Sequence, residues 1–149
     1  MWILRRLSEL GVSVQYILLT YKLRIRTFVE MNVPLWNFNL SAKMAKKIEK
    51  LQKTVVYVIL GSSADPDYFC NLAILELETL KDRRELIVKN FAQKLLKHPV
   101  HRNIFKFSEA NRTRSSKKII VPFSRTVRYE RSSIPALAKF IYENLVEKI

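Results

Sequence analysis

Few side chains in this sequence have the type and spacing that catalysis or metal binding requires. His98 and His101 lie three residues apart in "HPVH", but one cysteine and two histidines make a poor set of zinc ligands. Pro99 argues against both histidines lying on one face of a helix. We therefore interpret them as surface residues of a connector, and we predict neither a metal site nor a cofactor.

Cys70 and the paired acidic residues define no clearer reaction. Cys70 lies in an apolar segment with no histidine nearby in sequence, so we predict a buried thiol instead of a nucleophile. The pairs Asp65/Asp67 and Glu76/Glu78 suit turns and helix caps better than acid–base catalysis. The chain has only two glycines, which excludes a glycine-rich phosphate loop.

Basic residues give a stronger functional signal. The 149-residue chain carries a net charge of +14, which favours polyanion partners such as RNA, DNA or an anionic membrane surface. Five lysines share one face of a predicted helix: Lys43, Lys46, Lys47, Lys50 and Lys53. Such a stripe can follow a phosphate backbone, and each contact adds salt-dependent affinity. The alternative is a solvated face that keeps the protein soluble.

A second basic cluster lies in the C-terminal third of the chain. Between residues 108 and 133 only two acidic residues oppose seven basic ones: Arg112, Arg114, Lys117, Lys118, Arg125, Arg128 and Arg131. Phe123 and Tyr129 are interleaved with them, and an aromatic ring beside an arginine can stack on an unpaired base. We predict nucleic-acid contact here, with an unspecific basic linker as the alternative.

The spacing of apolar residues predicts a mainly α-helical protein. Ser41 is a predicted N-cap for a helix that ends at Gly61. At about 100° per residue, six of its apolar residues fall in one arc about 100° wide. They are Met44, Ile48, Leu51, Val55, Val58 and Ile59. Another helix runs from "VQYILLT" to near Pro34, and a last one begins near Ser133.

Two adjacent arginines begin the helix that Thr79 is predicted to cap. Its predicted inner face contains Leu80, Ile87, Phe91, Leu95 and, more loosely, Val88. Arg84 leans toward that face, so we predict a partly buried guanidinium that bonds a carboxylate or backbone carbonyls. Arg83 lies off the face, and we predict that it is free to bind phosphate.

Four segments resemble, in order, the region that follows the polymerase palm in the reverse transcriptases of animal non-LTR (LINE-like) retrotransposons. "YKLRIRTFVEMNVPLWNFNLS" corresponds through Tyr21, Ile25, Arg26, Glu30, Pro34, Trp36 and Ser41. "IEKLQKTVVYVILG" is similar to the next segment. "LETLKDRRELIVKNFAQKLLKHP" matches through Leu77, Leu80, Arg83, Arg84, Leu86, Phe91, Ala92 and Lys94. "VPFSRTVRYERSSIPALAKFI" resembles the end of these polyproteins.

The resemblance implies a thumb-like helical bundle over residues 1–107, a basic extended arm over 108–133 and a C-terminal helix over 134–149. Trp36, Arg84 and Phe91 would be structural residues. The family's catalytic aspartates belong to the palm, and no Tyr/Phe-x-Asp-Asp sequence occurs here, so we expect no enzyme activity. The implied partners are RNA, DNA or an RNA–DNA hybrid, and the palm and fingers domains of a related element.

Two other functions stay open at this point. A helical interaction module would pair the apolar stripe from Met44 to Ile59 with a partner protein. An expressed remnant of an element would have no selected role. No apolar run approaches the roughly 18 residues of a membrane span, and a single cysteine fits a reducing compartment. We therefore expect an intracellular protein, in the nucleus or cytoplasm, that does not bind membranes.

Overall fold

The computed structural model describes residues 1–107 and 119–144, and these form a mainly α-helical protein, as the sequence predicts. They contain ten α-helices and no β-strand. The chain divides into two compact units, of which the first contains Met1–Val33 and Leu40–Glu85, and the second Pro34–Asn39 and Leu86–Ile149. These units do not coincide with the predicted boundaries at residues 107 and 133.

Most of the helices are short. The chain begins with α1 (Trp2–Glu9), α2 (Val14–Thr20), a π-helical segment (Tyr21–Arg26), α3 (Thr27–Glu30), α4 (Val33–Trp36) and a 3₁₀ turn (Asn37–Asn39). It continues with α5 (Ala42–Leu60), a 3₁₀ turn (Gly61–Ser63), α6 (Tyr68–Ile74), α7 (Leu80–Lys97) and α8 (Pro99–Arg102). The last described helices are α9 (Val127–Glu130) and α10 (Ser133–Asn144). The core of the first unit contains Leu4, Ile17, Tyr21, Val55, Val56, Ile59, Leu72, Leu75 and Leu77.

The π-helical segment lies in the middle of one continuous helical stretch, from α2 to α3. Ile17, Tyr21 and Ile25 lie in or against the core and Val29 is half-buried, and these four residues recur at intervals of four. In a regular α-helix each such interval drifts by about 40° around the axis. A π turn contains more residues than an α turn, so it removes this drift and keeps the row directed at the core.

α1 ends as the sequence predicts, at a glycine in the left-handed conformation. Gly11 has φ 69°, and its N–H donates to the Ser8 carbonyl at 3.1 Å. The N–H of Val12 donates to the Leu7 carbonyl at 3.1 Å. This pair of bonds is a Schellman motif, in which Leu7 and Val12 also pack on the core.

α6 ends with the same pattern, but a glutamate occupies the left-handed position. Glu76 has φ 50°, and its N–H donates to the Ala73 carbonyl at 3.2 Å. The N–H of Leu77 donates to the Leu72 carbonyl at 2.9 Å, and both leucines are buried. An exposed side chain therefore holds a backbone conformation that favours glycine.

The buried face of α5 is rotated by about 60° from the predicted apolar stripe. Its buried residues are Gln52, Val55, Val56 and Ile59, whereas Met44 is 50% exposed. A glutamine lies near the centre of this face because its Nε2 donates to the backbone carbonyl of Glu78 at 2.8 Å. The predicted stripe is therefore correct for Val55 and Ile59 but wrong for Met44.

The inner face of α7 is also rotated from its predicted position. Its buried residues form a row at intervals of four: Leu80, Arg84, Val88 and Ala92. Phe91, which the sequence places at the inner face, is 37% exposed. Thr79 precedes the helix, and its hydroxyl accepts from the Asp82 N–H at 3.1 Å and donates to the Asp82 carboxylate at 2.7 Å. The predicted cap is therefore present.

Replacement of Glu76 by glycine tests how much the left-handed backbone conformation at this position destabilises the fold. Because φ is positive and the side chain is exposed, Glu76→Gly should raise the free energy of unfolding by about 0.5–1 kcal/mol. The control is Glu85→Gly, inside α7, which should lower it by about 1 kcal/mol. Urea unfolding measures both changes. A loss of stability in Glu76→Gly would contradict the expectation.

Tyr21 provides a second test, because its buried hydroxyl has no hydrogen-bond partner within the described residues. Tyr21→Phe should therefore keep or raise stability, by up to about 1 kcal/mol. Burial raises the pKa of Tyr21 to about 12, from an ordinary 10.0. Between pH 10 and pH 12 the tyrosine is ionised in the unfolded chain but still protonated in the folded protein, so stability falls as the pH rises through this range.

Urea unfolding at pH 7 and pH 11 separates the two expectations for this residue. Tyr21→Phe should lose less stability between the two pH values than the wild-type protein. The exposed Tyr16, changed to Phe, is the control and should alter neither value. A large loss of stability at pH 7 in Tyr21→Phe would show that the hydroxyl is bonded after all.

Candidate nucleic-acid interface

The five lysines predicted to bind nucleic acid lie together on α5. The hydroxyl of Ser41 accepts from the Met44 N–H at 3.3 Å, and Gly61 follows the last turn with φ 55°. These two residues fix the ends of the helix where the sequence predicts them. The lysines are all exposed and lie on the side opposite the buried face: Lys43, Lys46, Lys47, Lys50 and Lys53.

The positive charge of this lysine face is not neutralised within the described residues. None of the five lysines forms an ion pair with a described acidic side chain. Glu49 is the only acidic residue of α5, and its carboxylate accepts a hydrogen bond from the Tyr68 hydroxyl at 2.9 Å. Burial and this hydrogen bond raise the pKa of Tyr68. The Nζ of Lys53 lies 5.8 Å from the centre of the Tyr68 ring.

Arg83 is not free to bind phosphate, and this part of the prediction is wrong. Its Nε and Nη2 donate to the two carboxylate oxygens of Glu30, the second at 3.0 Å. Glu78 lies 3.5 Å from Nη1, and Arg26 lies 3.7 Å from Glu30. The Arg83 side chain is 25% exposed, and its hydrogen bond to Glu30 raises its pKa. Arg83 therefore stabilises the fold of the first unit.

The other residues predicted to be structural differ in burial. Arg84, expected to be partly buried, is only 5% exposed. Trp36 is half-buried in α4. Phe91 lies at the surface of α7, so its predicted packing on the inner face is wrong. The two arginines at the start of α7 therefore lie in different environments. Arg83 forms an ion pair with Glu30, and Arg84 is buried.

The C-terminal cluster is only partly described. Arg112, Arg114, Lys117 and Lys118 lie outside the described residues. Arg125, Arg128, Tyr129 and Arg131 are exposed in the second unit, near or in α9. Thr126 caps this single helical turn by accepting from the Tyr129 N–H at 3.3 Å. The described part of the predicted extended arm therefore contains a helix.

An acidic residue beside these arginines is already paired. Glu130 accepts from the Nζ of Lys139 at 2.9 Å, and this hydrogen bond lowers the pKa of Glu130. No ion pair to Arg125, Arg128 or Arg131 is present among the described residues. These three exposed arginines of the second unit are available to an anionic ligand.

Sequence reasoning missed a further set of exposed basic residues in the second unit. No acidic residue occurs between Glu85 and Glu109, and this gap is the signal that could have revealed them. The set begins in the C-terminal half of α7 and continues beyond α8. Its members are Lys89, Lys94, Lys97, Arg102 and Lys106.

The two histidines lie closer together than the sequence predicts. The centres of the His98 and His101 rings are 4.4 Å apart, because His98 precedes α8 and His101 lies on its first turn. Among the described residues, however, no group of three His, Cys, Asp or Glu side chains could hold a metal ion.

The cysteine environment also differs from the prediction. Cys70 is exposed instead of buried, and its thiol donates to the Asp67 carboxylate at 3.4 Å. This hydrogen bond raises the pKa of Cys70, which disfavours the nucleophilic thiolate. Asp67 also caps α6 by accepting from the Phe69 N–H at 3.3 Å, and Asp65 accepts from the Asp67 N–H at 2.7 Å. The predicted turn and cap roles of these aspartates are confirmed.

Comparisons with known proteins find no match to a protein-family model, a curated protein or a solved structure. The resemblance to reverse transcriptases therefore stays a prediction. No helix within residues 1–107 and 119–144 combines the length and apolar character needed to cross a membrane. The lysine face and the exposed arginines are the features on which a function can be argued.

The contribution of Arg83 to the stability of the fold can be measured by urea unfolding. Arg83→Met leaves Glu30 without its bidentate partner in a largely buried site, so the free energy of unfolding should fall by about 2 kcal/mol. The control is Lys81→Met, on the exposed side of the same helix, which should change it by less than about 0.5 kcal/mol. Unchanged stability with weaker nucleic-acid binding would restore the original prediction.

Proposed function

We propose that this chain is a non-catalytic helical protein that binds RNA or DNA through the phosphate backbone. The observation that carries the proposal is the lysine face of α5, whose five exposed charges have no ion-pair partner within the described residues. From Lys43 to Lys53 the helix rises about 15 Å. One strand of a DNA duplex presents about four phosphates over that axial length.

Lysine as the main contact residue favours binding without sequence readout. An ammonium group is a compact point charge on a flexible stem, so it meets phosphate oxygens without the planar geometry that base edges require. No arginine occurs on α5 to bind a guanine edge in two places. Affinity should therefore depend on the number of phosphates contacted and on salt, and little on base sequence.

The exposed arginines and Tyr129 of the second unit support a second contact region. Arg125, Arg128 and Arg131 have no described acidic partner, and the Tyr129 ring is exposed beside them. An exposed ring flanked by guanidinium groups can stack on an unpaired base. We propose that this region prefers single-stranded over fully paired nucleic acid.

The sequence resemblance supports a more specific proposal. The chain would be a detached thumb and C-terminal region of a LINE-like reverse transcriptase, without the catalytic palm. In that role the lysine face would hold a template–primer duplex, such as an RNA–DNA hybrid, by its backbone. The palm and fingers domains of a related element would be its protein partners, inside the cell, in the nucleus or cytoplasm.

The alternative of an interaction module loses the surface on which it was based. Val55 and Ile59 are buried in the core of the first unit, and Leu51 and Val58 pack against that core. From Leu51 to Ile59 the stripe is therefore used within the chain, whereas Met44 is exposed. The stripe as a whole therefore gives the interaction-module alternative little support.

The salt dependence of binding tests the proposal. For a duplex of arbitrary sequence, four to five lysine contacts predict that log K falls with log salt with a slope of about −4. Lys46→Gln/Lys50→Gln removes two central charges and should make the slope less steep by about 2. Fluorescence anisotropy over a range of potassium chloride concentrations, on two unrelated sequences, measures the slope.

A matched variant controls for the loss of net charge. Arg5→Gln/Lys81→Gln removes the same charge from exposed positions of α1 and α7 and should leave the slope nearly unchanged. Binding of the wild-type chain without a salt slope would refute backbone binding. Equal effects of the two double variants would show that the contact is not on the lysine face.

A further inference from the structure

The helical stretch from α2 to α3 has an exposed apolar side that the core of the first unit does not use. Its large side chains are between 49% and 74% exposed and form what we call the exposed apolar row: Tyr16, Leu19, Leu23, Phe28 and Met31. Together they expose on the order of 500 Å². An apolar area of that size equals the largest patch on a typical monomer, and such patches are often functional.

The π-helical segment aligns this row. The intervals along it are three, four, five and three residues, and the interval of five joins Leu23 to Phe28 across the segment Tyr21–Arg26. In a regular α-helix that interval would turn Phe28 about 140° away from Leu23. The wider π turn brings the two side chains back toward the same side. The hydroxyl of Thr27 donates to the Lys22 carbonyl at 3.0 Å and supports this geometry.

The charges beside the row define what can bind it. Arg24 lies between Leu23 and Phe28 in sequence, is exposed, and has no ion-pair partner among the described residues. Glu30 is the only acidic residue from Ser13 to Met31, and it is already bonded to Arg83. The row therefore offers apolar contacts and a central positive charge, with no negative charge to balance it.

We propose that the exposed apolar row binds an amphipathic α-helix of a partner protein, with acidic residues beside its apolar stripe. The row is about 20 Å long, which matches about four turns of a partner helix. An apolar helix face packs on such a row through residues at i, i+3 or i+4, and i+7. A carboxylate on the partner would pair with Arg24.

The same observations disfavour a second copy and a membrane. Two copies of a chain with a net charge of +14 repel one another and would bring Arg24 against Arg24. A membrane would have to take the Arg24 guanidinium close to its apolar region, because Arg24 lies four residues before Phe28 and so on the same side of the helix. A partner helix meets neither obstacle.

The test uses the full chain and a displayed library of helical peptides about 20 residues long, with randomised surface positions. Enriched peptides should combine an apolar stripe with flanking Glu or Asp. Leu23→Ser/Phe28→Ser should weaken their binding about tenfold or more. The matched control, Phe69→Ser/Ile74→Ser, changes two side chains of similar exposure on α6 and should have little effect.

Charge reversal tests the predicted carboxylate. Arg24→Glu should weaken the enriched peptides about tenfold, and replacing the facing Glu of the peptide with Lys should restore binding. Arg5→Glu makes the same change of charge on α1 and should have a smaller effect. Because α5 is unchanged in all these variants, the salt slope for nucleic acid should stay as in the wild-type protein.

Four results would overturn the proposal. One is the absence of any enriched peptide, and another is enrichment that Leu23→Ser/Phe28→Ser does not reduce. Sedimentation showing a dimer that this double variant dissociates would assign the row to a second copy. Binding to phosphatidylserine vesicles that the same variant abolishes would assign it to a membrane surface.

Discussion

The ion pair between Glu30 and Arg83 joins the end of the helical stretch from α2 to α3 to the start of α7, across 53 residues of sequence. Both side chains are largely buried, so each needs the other to offset the loss of hydration. The register of both helices has to place the two groups together. The π-helical segment and the capping of α7 by Thr79 and Asp82 both contribute to that register.

Local signals were enough to predict the ends of several helices. Three helix ends are fixed by single residues, Ser41, Gly61 and Gly11, through interactions within a few residues of sequence. The type of each residue therefore indicates where the helix begins or ends. The rotation of the α5 face depends instead on Gln52 and the Glu78 carbonyl, which lie 26 residues apart. The sequence alone does not indicate that Gln52 belongs in the core, because its hydrogen-bond partner is remote in the chain and meets it only in the folded protein.

The same distinction applies to the candidate functional residues. The lysine face follows from spacing alone, because exposed charges on one helix need no tertiary partner. The role of Arg83 could not be predicted, since Glu30 is remote in sequence. The π-helical segment has a sequence signal that is recognised only once the structure is known. It is the spacing of four residues between apolar positions from Ile17 to Val29.

The lysine face also has a cost for the folded state. Lys43 and Lys47, like Lys46 and Lys50, are like charges four residues apart, and each such pair destabilises a helix by about 0.2–0.5 kcal/mol. A bound polyanion would relieve this repulsion, so it would stabilise α5 while occupying it. If the proposed function holds, α5 is less stable alone than with a polyanion bound, because binding removes part of this repulsion.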